Sequence, residues 1–156
     1  MTDKNYLALF AKSFNWAGFF LPKHTYQDCS KLYSFCRILD DLVDKRESLE
    51  LRIERFNKFK VFFKKTYEEV DNNRKLEDLN EYQLIINDMI AIVDNNKIKK
   101  IILDDLLDGV ESDLKPRIYL KSVKDLLVYS YRVAGTVGLM MAKILNVNDS
   151  RSLKGA

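Results

Sequence analysis

The segment Lys31–Asp44, KLYSFCRILDDLVD, constrains this chain more than any other. At about 100° of rotation per residue, Tyr33, Arg37, Asp40 and Asp44 fall within about 60° of one another on a helix and form one polar stripe. Leu32, Phe35, Cys36, Ile38, Leu39, Leu42 and Val43 cover most of the rest, leaving Ser34, Asp41 and Lys45 as a narrow second polar edge. A helix that is apolar nearly all round is a buried one, so the stripe is expected inside a helical core. A carboxylate buried in ionised form needs a compensating partner or takes up a proton. Two of them one turn apart therefore call for cations: Arg37 supplies one, and a divalent metal would supply the rest.

Asp40 and Asp44, at i and i+4, project side by side. Hard oxygen ligands in that arrangement suit Mg²⁺, which is typically held by one or two carboxylates together with substrate phosphate oxygens. The expected substrate is a phosphorylated molecule. The plainer alternative is a solvated acidic face with a local Arg-to-Asp ion pair, and the apolar surroundings of the stripe weigh against it.

The chain of 156 residues fits one domain, residues 1–156, and is long enough to bury a core. Five Gly and two Pro are few, which suits long helices joined by short turns. Net charge is +3 with basic and acidic residues interleaved, a pattern that points away from nucleic acid. No secretory signal is read at the N-terminus, and the longest apolar window, Val133 to Leu145, is interrupted by Lys143 and falls short of the ~20 residues that span a bilayer. Cys29 and Cys36 are two turns apart on one helix, roughly 10.5 Å, too far for a mutual disulfide. They read as reduced thiols of a cytoplasmic protein. The single histidine, His24, is expected in a loop after Pro22.

Six helices follow from the apolar periodicity. The first runs from Asn5 to Phe20, stopped by Leu21 and Pro22. The second starts at Thr25 as N-cap, with Asp28 three positions on, and continues through the stripe to about Lys45. The third, from Ser48 to about Val70, puts Leu49, Ile53, Phe56, Phe59, Phe63 and Tyr67 on one side and lysines on the other. It reads as a core-facing helix, with a membrane-surface helix as the alternative. Asp71, Asn72 and Asn73 break it. The fourth spans Leu79 to Val93, and the fifth runs from Lys97 to about Leu114, stopped by Pro116. On the fifth, Asp104 and Asp108 repeat the i, i+4 spacing, but Asp105, Glu111 and Asp113 make a general acidic, solvated helix end the better reading than a second metal claw. The sixth runs from Ser122 to about Asn146. Its Ser130, Ala134 and Gly138 lie four apart, so one face has almost no bulk and either admits a close helix or borders an apolar tunnel. No segment alternates with period two, and the fold class is all-α.

Three separated pieces, SFNWAGFFLPK at Ser13 to Lys23, LYSFCRILDDLVD at Leu32 to Asp44 and YSYRVAGTVGLMM at Tyr129 to Met141, with DGVESDL between them in order, resemble the squalene and phytoene synthase family of head-to-head prenyl transferases. The resemblance implies an isoprenoid synthase-type helical bundle around a central cavity in which two prenyl diphosphates are joined. It makes Asp40 and Asp44 the first aspartate-rich Mg²⁺ site, with Mn²⁺ as the alternative ion, and Arg37 a diphosphate contact. Tyr33 and Tyr129 become cavity tyrosines near the reacting carbons. Ser13 and Phe14 line the cavity near its entrance, and Val133, Ala134, Val137 and Gly138 border the prenyl chains. Family members run longer and carry a second aspartate-rich motif soon after the point corresponding to Ala156. The chain is therefore expected to be the N-terminal portion of such a fold, truncated at its C-terminus.

Phytoene synthase chemistry on geranylgeranyl diphosphate is the leading expectation, with squalene or presqualene diphosphate synthase as the runner-up. A non-catalytic prenyl-diphosphate-binding fragment and a purely structural bundle are the readings from other classes. Expected partners are a prenyl diphosphate, a complementing C-terminal half or a second copy, and a membrane surface to which this cytoplasmic protein would be peripheral.

Overall fold

In a computed structural model, the chain is described at residues 16, 18–68, 82–115 and 119–147. Five α-helices come first in chain order: α1 (Lys23–Asp44), α2 (Leu49–Glu68), α3 (Gln83–Asn95), α4 (Lys100–Ser112) and α5 (Val123–Ser130). A π-turn (Tyr131–Gly135) then runs without a break into α6 (Thr136–Ile144). No strand occurs among the described residues, so the all-α expectation holds. The expected first helix lies mostly outside them.

Helix α1 turns Thr25, Cys29, Leu32, Phe35, Leu39, Leu42 and Val43 inward, steps of three and four that bring one side of the helix to the core. α2 contributes Phe56, Phe59 and Phe63 to the same core, so its aromatic side is packed rather than free for a membrane. Ser48 is its cap, accepting a hydrogen bond at Oγ from the Leu51 N–H at 3.3 Å. α3 and α4 add Ile86, Met89, Ile92, Val93, Leu103, Leu106, Leu107 and Val110. Polar ties hold the rim. Lys31 pairs with Asp88 at 2.7 Å, Lys60 with Glu111 at 2.5 Å, and Arg52 donates to the Val43 carbonyl at the end of α1.

Several boundaries differ from the periodicity reading. α1 starts at Lys23 with Pro22 as N-cap, because proline's fixed φ leads into a helix and its missing N–H costs nothing there. Thr25 is thus a buried first-turn residue, and His24 is an exposed helical residue rather than a loop residue. α3 begins at Gln83 behind Tyr82, later than Leu79. α4 begins at Lys100 rather than Lys97, because Lys97 sits at φ 51° in the reversal that ends α3. The expected breaker Asp71–Asn73 and Pro116 lie outside the described residues.

The sixth predicted helix is present, but it is not uniform. The Thr136 N–H reaches back five residues to the Tyr131 carbonyl, while the Thr136 hydroxyl donates to the Arg132 carbonyl at 2.7 Å. Such π-turns tend to mark functional sites. Ser122 caps the start by accepting from the Asp125 N–H at 3.1 Å, and the Asp125 carboxylate accepts from the Lys121 N–H at 3.0 Å.

The π-turn packs on α4 at Gly109. A Cβ built there would stand 2.8 Å from Arg132 Cβ, 3.0 Å from the Arg132 carbonyl carbon and 3.1 Å from Val133 Cγ1. Helix propensity alone makes Gly→Ala stabilising by about 1 kcal/mol. Overpacking against backbone costs about 1–3 kcal/mol and should win, because the Arg132 backbone cannot swing aside. Gly109→Ala is expected to lower the melting temperature, and an unchanged or raised value would contradict this close approach.

Candidate functional site

The stripe emerges on α1 as predicted, but it is not enclosed: Asp40 and Asp44 are exposed, and Tyr33 and Arg37 are half-buried. The reason lies in the helical angles. At 100° per residue the stripe and the Ser34, Asp41 and Lys45 edge adjoin, so together they make one polar face about 140° wide. That is an ordinary amphipathic division, and Arg37 pairs with Asp41 at 2.9 Å along it.

The face is nonetheless electrically unusual. Partial burial, then the charge of Asp44, hold the Asp40 carboxyl above its ordinary 3.8, and Asp41 and Asp113 push the same way against Arg37. Asp40 is exposed by area, so repulsion from the neighbouring carboxylates is the main cause. Asp113 comes from the turn that follows α4. Its carboxyl is also raised, by burial and by Asp44, against the lowering effect of a hydrogen bond from Tyr129. That bond, Tyr129 Oη to Asp113 Oδ1, is 2.9 Å long and half-buried. Tyr129 is raised in turn by burial and by its bond to Asp113, with Asp44 adding its charge. The end of α4 and the start of the α5 rod thus bring a third carboxylate and a tyrosine into the field of the α1 pair.

Sequence reasoning gave Asp40, Asp44 and Tyr129 but assigned Asp113 to a solvated acidic end. Four of the acidic residues there are partnered: Arg132 reaches Asp108 at 3.4 Å and Asp105 at 3.9 Å, Glu111 holds Lys60, and Asp113 takes Tyr129. The only forward sign of Asp113 was its place in DGVESDL.

The small-residue face of the rod is neither packed on another helix nor closed into a tunnel among the described residues. Ser130 and Ala134 are exposed, while Val133, Val137 and Gly138 are half-buried. Val137 and Met141 lie at the core margin. No residue of α5 is buried, and Val123, Leu126, Leu127 and Val128 are left exposed beside Tyr119 and Tyr131. Ser13 and Phe14 lie outside the described residues. Cys29 and Cys36 are free, as their spacing required. Burial, with the charge of Asp40, pushes the Cys36 thiol up to about 12, which disfavours the thiolate form.

Among the described residues no three His, Cys, Asp or Glu side chains group closely enough to enclose a metal ion. Asp40 and Asp44 still fit Mg²⁺, which needs only one or two protein carboxylates when phosphate oxygens complete its shell. Two carboxylates one turn apart repel each other, and a cation between them would relieve that repulsion. In the absence of any cation, Asp40 ionises less readily folded than unfolded. Native stability therefore falls as pH rises from 3.8 through the raised value and stays reduced above it. Asp40→Asn is expected to melt higher than wild type at pH 7 in chelator, with the gain gone near pH 3, where both forms are neutral. A lower melting temperature at pH 7 would show Asp40 to be a structural partner.

The fold is that of the all-α isoprenoid synthases. A solved structure of a dehydrosqualene synthase in complex with ligand superposes with a TM-score of 0.58 at 26% identity, over 89% of this chain and 44% of that one. The sequence profile described as squalene/phytoene synthase matches residues 7–155, and the chain belongs to that family. A bifunctional lycopene cyclase/phytoene synthase of Phaeosphaeria nodorum is 32% identical over 139 residues, 86% of this chain and 24% of that protein. A 15-cis-phytoene synthase of Paracoccus sp. is 28% identical over 157 residues, 94% of this chain and 47% of that protein. The chain thus spans between a quarter and a half of the length of these relatives.

Proposed function

We propose that this chain carries the metal- and diphosphate-binding face of a synthase that joins two prenyl diphosphates head to head, geranylgeranyl diphosphate to phytoene being the preferred reaction. Squalene or presqualene diphosphate synthesis is the runner-up. The observation that carries the reading is Asp40 and Asp44 one turn apart on α1, within electrostatic reach of the hydrogen-bonded Asp113 and Tyr129, in a chain whose relatives include phytoene synthases.

Asp40 and Asp44 would hold Mg²⁺, or Mn²⁺ in its place, which when bound neutralises the departing diphosphate. Arg37 sits on the same stripe to contact that diphosphate. It also pairs with Asp41 at the surface of the same helix. Tyr33 and Tyr129 would present ring faces, which favour a cation, and Val133, Ala134, Val137 and Gly138 would border the prenyl chains along the rod. Ser13 and Phe14 complete the entrance in this reading.

The exposed apolar side chains of α5 make it the natural seat for the remaining half of the synthase fold, with a second copy as the alternative partner. No described helix is long and apolar enough to cross a membrane, and the reading places the protein in the cytoplasm, drawing greasy substrates at a membrane surface. In this reading a second acidic wall faces Asp40 and Asp44, and a supplied C-terminal half is the means of providing it. Incubation with geranylgeranyl diphosphate and Mg²⁺, with and without a supplied C-terminal half, tests this. Hydrocarbon product in the complemented mixture is expected. Binding without product in either mixture would favour a non-catalytic prenyl-diphosphate-binding module.

A further inference from the structure

Two residues at this face have a relationship that the metal reading does not use. Tyr129 lies on the last turn of α5, a helix with no buried residue of its own. Its neighbours Val128, Ser130 and Tyr131 are all exposed, whereas Tyr129 is half-buried. On the inward side its hydroxyl donates a 2.9 Å hydrogen bond to Asp113 Oδ1. Asp113 is itself fixed, because its N–H donates to the Val110 carbonyl at 3.0 Å at the end of α4. Behind it, Gly109 lets the π-turn rest directly on α4. The tyrosine ring therefore hangs between a rigid backbone contact at the π-turn and a carboxylate at the helix end.

We propose that Asp113 is a positioning residue, which holds the Tyr129 hydroxyl by hydrogen bonding and so fixes that ring at the edge of the Asp40 and Asp44 face. The inference deepens the functional reading above and rests on it for the role of the ring. A phenol whose proton is committed to a carboxylate cannot turn its O–H toward a bound anion. It presents the ring and the oxygen lone pairs instead, the orientation that favours a positive centre over a phosphate. A hydrogen bond to a charged acceptor is among the stronger ones a side chain makes, and one on a half-buried ring decides between a held and a swinging side chain.

The test uses the 156-residue chain with Asp113→Asn, Asp113→Ala, Tyr129→Phe and the Asp113→Ala/Tyr129→Phe double variant. Asparagine has nearly the shape of aspartate and an oxygen that still accepts from Tyr129, whereas alanine offers no acceptor. The first readout needs no ligand: the ¹³Cζ resonance of Tyr129, identified by its loss in Tyr129→Phe, is expected to move in Asp113→Ala and to move much less in Asp113→Asn. The second is calorimetric binding of a non-hydrolysable farnesyl thiodiphosphate with Mg²⁺. Asp113→Ala should weaken it by about ten-fold, Asp113→Asn should restore most of the loss, and the double variant should be no weaker than either single change. A Tyr129 resonance indifferent to Asp113→Ala overturns the inference whatever the ligand does. Asn and Ala variants that bind equally well, or singles whose effects simply multiply in the double, overturn it too. A wild-type chain that binds no thiodiphosphate counts against the functional reading alone, and the resonance then decides the inference.

Discussion

Phe59→Ala is expected to destabilise the chain by about 3–5 kcal/mol, the usual cost of emptying a buried phenylalanine site. Phe59 is fully buried and joins three elements at once. Its ring centroid lies 6.2 Å from Phe35 on α1, 6.3 Å from Phe63 on α2 and 5.3 Å from Tyr82 at the start of α3. The Tyr82 contact is edge to face, a geometry that adds about 0.5–1.5 kcal/mol per pair beyond the area buried. Because these neighbours come from different helices, none can move into the void without parting from its own core contacts, so little collapse will offset the loss. For a chain of this size the melting temperature should fall by about 10 °C or more. Val61→Ala, two residues along the same helix at a side chain 71% exposed, should stay within about 0.5 kcal/mol of wild type. Similar losses from both substitutions would mean that α2 does not face the core as described.

Which parts of this were legible in the sequence follows from the range over which each signal acts. The helices were readable because their apolar steps are local: Leu32, Phe35, Leu39 and Leu42 mark the inner side of α1 without help from elsewhere in the chain. Asp40 and Asp44 stood out for the same reason, being one turn apart. Burial of the stripe was misjudged because counting apolar residues ignores their angles, and the two polar edges in fact adjoin. The π-turn was invisible, since one extra residue within a long apolar rod leaves the pattern readable as an ordinary helix. Gly109 and Asp113 were illegible as partners of Arg132 and Tyr129, contacts that span 16 or more residues and exist only once α4 and the rod have docked. The small-residue row Ser130, Ala134 and Gly138 was legible as a row.

The other large effect is expected at the acidic pair. Removing a residue that merely orients a metal ligand typically costs 10–100-fold in affinity, and removing the ligand itself should cost at least as much. Asp40→Asn and Asp44→Asn are each expected to weaken Mg²⁺-dependent binding of a prenyl thiodiphosphate by about 100-fold. Neither loss can be put down to unfolding, because both side chains are exposed and Asp40 is, if anything, a burden on the ligand-free fold.

Calorimetric titration of the wild-type chain with that thiodiphosphate, in Mg²⁺ and again in excess chelator, is the most direct trial of the claim that α1 presents a metal-diphosphate site. Saturable binding in Mg²⁺, absent in chelator and lost in Asp44→Asn, is the predicted result. Binding of equal strength with and without the ion, or unaltered by either aspartate substitution, would contradict it.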